Sequence, residues 1–139
     1  MHWIILSLLS AVFASLVAIF GKIGISKIDS TLATSLRAII MAIFIVILAF
    51  GQNKFKLLDT LDNKAIIFIV LSGIAGALSW LMYFLALKSG PATGVAALDR
   101  LSVVFVVVFA ALFLSESLTW KTASGALLIT SGALLMVLN

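Results

Sequence analysis

Three charged side chains, Arg37, Asp99 and Arg100, stand inside long apolar runs of this sequence. A charge in such a run costs roughly 2.5–3.5 kcal/mol on membrane-insertion scales, so it usually faces a partner or a watery cavity. Two arginines against one carboxylate leave a positive surplus even after one ion pair forms. That surplus suits an anionic or zwitterionic group of a small molecule better than a bare cation. An Asp99–Arg37 or Asp99–Arg100 pair that only locks helices together accounts for the same residues, and Arg100 can also extend its head toward the interface. Trp80 and Tyr83 fall on one helical face with Gly73, Gly76 and Leu87. Trp80 suits a cavity wall or packing equally; Tyr83 fits the interfacial aromatic belt better. Lys22 and Lys88 stand where apolar runs end, at the mouth of the vestibule these residues would line. The candidate substrate contacts are therefore Arg37, Asp99, Arg100, Trp80, Tyr83 and Lys22.

Other chemistry finds little material. The chain has no cysteine, which excludes disulfides, thiolate catalysis and cysteine metal sites. His2 is the single histidine, so a histidine metal cluster cannot form. There is no Ser/His/Asp set, paired carboxylates or phosphate loop. Neither an enzyme, a metal nor a cofactor is expected. Glu116 sits in a turn just before the last apolar run, where a carboxylate can cap a helix N-terminus. A formal charge of +4 and a pI near 9.8 raise the question of nucleic acid. The basic residues lie singly at or within apolar runs and form no stripe, so nucleic acid is rejected.

The elements that position these residues follow from composition. The 139 residues are 64% hydrophobic and 10% charged. Soluble domains average about 45–50% apolar and about 25% charged, so these few charges cannot cover a water-facing surface. The bilayer is the natural solvent. Crossing a core about 30 Å thick takes about 20 apolar residues in a helix. The runs are continuous, without period-2 alternation, which favours helices over strands. The spacing predicts an all-α, polytopic bundle of five transmembrane helices in one 1–139 domain, at about 3–21, 30–50, 65–87, 92–114 and 118–138. The Trp3–Phe20 run lacks a basic leader and is read as a retained helix. The embedded charges leave a four-span version open, with one segment re-entrant.

Five spans put the two termini on opposite sides. Lys54, Lys56, Lys64 and Lys121 then fall on the N-terminal side, and Lys22, Lys27 and Lys88 on the other. The positive-inside rule needs a clear bias, and here it finds almost none, so insertion in both orientations competes with a single one. At 1.5 Å per residue, Arg37, Trp80, Asp99 and Arg100 share a depth roughly 10 Å in from the second side. Span one carries a small-residue stripe, Ser7, Ala11, Ala14 and Ala18, which allows close helix approach. Span five carries Gly125 and Gly132, seven residues apart, beside Ser124 and Ser131. That smooth face suits packing within the chain and dimerisation equally.

Several local patterns together carry a resemblance. They are Leu85-Ala86-Leu87-Lys88-Ser89-Gly90-Pro91-Ala92, Leu101-Ser102-Val103-Val104-Phe105, Phe113-Leu114-Ser115-Glu116-Ser117-Leu118, and Gly125-Ala126-Leu127-Leu128-Ile129 followed by Gly132. In this order and spacing they resemble the EamA domain of the drug/metabolite transporter superfamily. Arg37 in Leu36-Arg37-Ala38 matches an arginine common near the start of that domain's second helix, and Gly21-Lys22-Ile23-Gly24 is similar to the end of its first. The resemblance implies a five-helix unit of the prokaryotic plasma (inner) membrane that exports small metabolites. Members usually carry two units in tandem with inverted topology. The small multidrug resistance branch relies on a glutamate embedded in its first helix. Span one here holds no acid, leaving Asp99 as the embedded carboxylate.

Transport sites of this kind form between repeats near the membrane midplane. A second, inverted copy of the chain is the simplest completion; a parallel dimer or a heteropartner is the alternative. The first functional expectation is an alternating-access transporter of small metabolites working as an antiparallel homodimer. A flippase for a lipid-linked phosphate or sugar and a non-transporting membrane subunit or scaffold stand beside it.

Overall fold

The computed structural model describes residues 2–138, apart from the side chain of Asp59. Among the described residues there are six α-helices: α1 (His2–Gly24), α2 (Ser30–Gly51), α3 (Asn63–Ser89), α4 (Ala92–Asp99), α5 (Ser102–Phe113) and α6 (Trp120–Leu135). A short 3-10 helix, Lys54–Thr60, joins α2 to α3. No strand occurs among the described residues. The backbone can satisfy its own hydrogen bonds in lipid only as helices or closed barrels, so the continuous apolar runs fold as helices.

Four segments are long and apolar enough to cross a membrane: His2–Gly24, Ser30–Gly51, Asn63–Ser89 and Ala92–Phe113. The protein is an integral, multi-pass membrane protein. The counterpart of the expected fifth span, α6, has 16 residues, about 24 Å at 1.5 Å per residue. It is shorter than the expected 118–138 span because Leu118 and Thr119 belong to an extended entry and the helix ends in a turn after Leu135.

The fourth span departs from an uninterrupted helix over 92–114. It divides into α4 and α5 at the charged pair. There the amides of Arg100, Leu101, Val103 and Val104 donate to carbonyls three residues back, at 2.9–3.1 Å. Tightening to i→i−3 bonds keeps these backbone groups paired while the helix is interrupted.

The chain divides into two compact units, Lys22–Lys88 and a second made of residues 1–21 with 89–139. In the second, the buried side chains are small: Ala18, Ala97, Ala110, Ala126 and Ala133. Lipid tails are as apolar as leucine, so helices here associate by close approach over small residues. The span-one stripe contributes Ala18. On α6 the buried positions are Ala126 and Ala133. Gly125 and Gly132 lie one residue away, and a Cβ at either would meet nothing within 4 Å. Gly94 does serve close approach: its Cβ would lie 3.3 Å from Pro91 Cγ and 3.7 Å from Val137 Cγ2.

The N-cap of α6 is Thr119, not Glu116. The Thr119 side chain accepts from the Thr122 amide at 3.1 Å. Glu116 lies upstream of the cap position because its amide folds back to the Ala110 carbonyl, 3.2 Å away, closing the end of α5. That closure holds Ser115 at φ 55°, a left-handed conformation that suits glycine. Ser115→Gly should therefore raise stability by about 0.5–1 kcal/mol, read as a higher unfolding temperature in detergent.

Candidate substrate cavity

The Lys22–Lys88 unit holds a cavity of about 520 Å³ between α2 and α3. Thr31, Thr34, Ser35, Arg37, Ala38 and Met41 line it from α2. Their spacing of three and four puts them on one helical face. Gly73, Gly76, Ala77, Trp80 and Leu81 form the same kind of stripe on α3. The two glycines keep the α3 wall low opposite the hydroxyl-bearing wall of α2.

Arg37 is the charged group of this cavity. Its guanidinium carbon stands 3.7 Å from the Trp80 ring centroid and 5.2 Å from that of Phe84. Such stacking on an indole contributes about 0.5–2 kcal/mol, more where water is excluded. A guanidinium has five N–H donors, more than one ring contact can occupy, so donors remain to bind a ligand. No carboxylate of the described residues in this unit pairs with it. Tyr83 packs edge-on to Trp80 at 5.7 Å and 76°, and buried Phe84 lies 6.1 Å from Trp80. The Tyr83 ring thus supports the indole on which Arg37 rests. Phe84 was not singled out from the sequence; its i+4 spacing from Trp80 was the available signal.

Two hydroxyls of the α2 wall, those of Thr34 and Ser35, are committed as donors. Thr34 donates to the Ser30 carbonyl at 2.7 Å and Ser35 to the Thr31 carbonyl at 2.9 Å. Their oxygens retain lone pairs, so they offer acceptors. The cavity therefore combines a planar cationic donor with hydroxyl acceptors about one turn nearer the start of α2.

The remaining candidates are placed differently. Lys22 Nζ donates to the Leu87 carbonyl at 2.5 Å, and Lys88 Nζ to that of Ile28 at 3.4 Å. Leu87 lies in the last turn of α3, where an ammonium complements the helix dipole. Asp99 and Arg100 pair with one another at 3.8 Å, both partly exposed. Arg100 also lines a separate cavity of about 480 Å³, whose walls include Ala14 and Ser15 of α1 and Thr93 and Ala96 of α4. No group of metal-ligating side chains occurs among the described residues.

At the entry to α2, Asp29 is the N-cap and accepts from the Thr31 and Leu32 amides at 2.9 and 3.0 Å. The Leu32 amide is the largest influence holding its carboxyl below the ordinary range; the Thr31 amide and Lys88 act in the same direction. A depressed folded pKa gives stability that is present above the unfolded value, about 3.9, and lost as pH falls through the folded value. Unfolding temperature should therefore decline as pH drops below about 4, and Asp29→Asn should flatten that decline.

The model of the EamA-like transporter family matches residues 1–138. The chain belongs to that family. This EamA chain is 40% identical to an uncharacterized transporter in a cobO 3' region of a Sinorhizobium species, over 96% of the chain and 95% of the relative. It is 29% identical to the uncharacterized transporter YvbV of Bacillus subtilis, covering 96% of the chain but 44% of that relative. An uncharacterized protein of Methanocaldococcus jannaschii is 28% identical over 98% of the chain and 96% of its own length. No solved structure matches. Family membership sets the chain among membrane transporters.

Proposed function

We propose that this EamA chain is one half of an alternating-access exporter of small zwitterionic or anionic metabolites in a prokaryotic plasma (inner) membrane, completed by a second copy in inverted orientation. The observation that carries the reading is the Arg37 guanidinium stacked on Trp80 in the α2–α3 cavity. An arginine edge binds a carboxylate or phosphate oxygen pair in its plane. The Thr34 and Ser35 oxygens can receive an ammonium hydrogen, which favours a zwitterion over a simple anion. A volume of about 520 Å³ falls in the range of small-molecule sites. Lys22 and Lys88 donate to backbone carbonyls, which weakens the case for a free basic clamp on a lipid headgroup.

The two-copy arrangement has three supports. Transporter sites form between repeats related by inversion. The chain covers 44% of its Bacillus relative. The Gly125/Gly132 face has open space around it. Reconstituted protein should exchange zwitterionic or anionic solutes across vesicles and leave cationic analogues untouched. Tags at both termini, tested for side of exposure, should report a mixed population. A single orientation would rule out the inverted dimer, and absence of exchange with every solute class would overturn the transport reading.

A further inference from the structure

Between α2 and α3 the chain makes a connection unlike a plain polar loop. Asn53 turns it with a left-handed φ of 56°, a conformation asparagine tolerates. Lys54–Thr60 then forms a 3-10 helix, which repeats every three residues. Phe55 and Leu58 therefore share one face, and Leu61 follows at the same interval. Lys54 and Lys56 flank that face. Phe55, Leu57, Leu58 and Leu61 are 42–57% exposed although they lie outside the spanning segments.

This ridge needs a cover, and its neighbours restrict what the cover is. The helices on either side are both long and apolar enough to cross the membrane, which puts the two ends of the connector at the bilayer surface. In sequence, the charged residues from the connector to the start of α3 are Lys54, Lys56 and Lys64 against Asp59 and Asp62. The Asp62 carboxylate accepts from the Ala65 amide at 2.7 Å, which commits it to the start of α3. A second copy of this segment would bring lysine against lysine. A membrane interface with negative headgroups meets both halves of the pattern, because apolar side chains enter the acyl boundary while lysines meet phosphates.

We propose that the 54–61 connector docks into the headgroup layer of a leaflet carrying anionic phospholipid, with Phe55, Leu58 and Leu61 inserted and Lys54 and Lys56 on lipid phosphates. Docking there pins the α2–α3 end of the molecule to that surface and is independent of the cavity.

The chain contains no cysteine, so Leu58→Cys carrying an environment-sensitive fluorophore reports this position alone. In vesicles of phosphatidylcholine with phosphatidylglycerol, its emission should be blue-shifted and open to quenching by lipids brominated near the headgroup. Each of Lys54→Gln and Lys56→Gln should lower the docked-to-undocked ratio about fivefold, and both together about 25-fold. Added salt should act in the same direction. A label at Thr60→Cys, off the ridge, should remain more aqueous. Aqueous emission at position 58 in the anionic vesicles would overturn the proposal. Equal blue shifts in phosphatidylcholine alone, unmoved by the lysine substitutions, would overturn its anionic selectivity. A signal that follows protein-to-lipid ratio would overturn it in favour of contact between copies.

Discussion

Arg37→Ala should lower exchange of a carboxylate- or phosphate-bearing solute by about 10- to 100-fold, the range expected from losing one charge-assisted hydrogen-bonded contact. The sign of the accompanying stability change makes the result informative. Removing an arginine from within a span relieves a cost of roughly 2.5–3.5 kcal/mol on insertion scales. The stacking lost with Trp80 returns only about 0.5–2 kcal/mol of that. Membrane insertion and yield should therefore hold or improve while transport falls. Arg37→Lys keeps the charge but loses the planar edge and much of the stack on Trp80, so it should still cost about tenfold. Exchange assays in vesicles with matched protein content decide the matter. Unaltered exchange in both variants would remove Arg37 from the substrate site.

The second large effect is expected on α6, where neighbouring positions should respond in opposite ways. Ala126 and Ala133 are buried, so Ala126→Leu overpacks the chain's own interior and should cost about 1–3 kcal/mol in thermal stability. Gly125 and Gly132 have open space where a Cβ would stand. Gly125→Leu combined with Gly132→Leu should leave the stability of a single chain within about 0.5 kcal/mol. If this face meets a second copy, the same pair should abolish dimers in detergent cross-linking and reduce exchange to background, because close helix contact in lipid depends on small residues. Dimers that survive both leucines would take the interface away from α6.

The contrast between these positions marks how far the sequence reaches. Composition and run length determined that the chain lives in a bilayer, that it is helical, and roughly where helices begin and end, because backbone hydrogen bonding in lipid leaves few alternatives. Gly90-Pro91 ended α3 where its chemistry required. The embedded arginine and the Trp80 face were also legible, since charge in hydrocarbon is costly and i+3/i+4 spacing defines a helix face. Rotation was not legible to one residue. Each residue turns a helix by about 100°, so a glycine pair and the alanine pair beside it are near-equal candidates for the packed face. Only contacts in the folded chain chose Ala126 and Ala133.

The same holds for local backbone detail. Glu116 and Thr119 are both reasonable caps by type, and the fold-back of the Glu116 amide onto Ala110 moved the cap to Thr119. The interruption of the fourth span at Arg100–Leu101 depends on a shift in hydrogen-bond register that residue types do not encode. The embedded charges were the sequence's own finding, and it offered Asp99–Arg37 and Asp99–Arg100 as rival pairs without choosing between them. The tertiary structure stacked Arg37 on Trp80 and left Asp99 to its neighbour Arg100, because pairing depends on side-chain direction and approach, which spacing along one helix cannot supply.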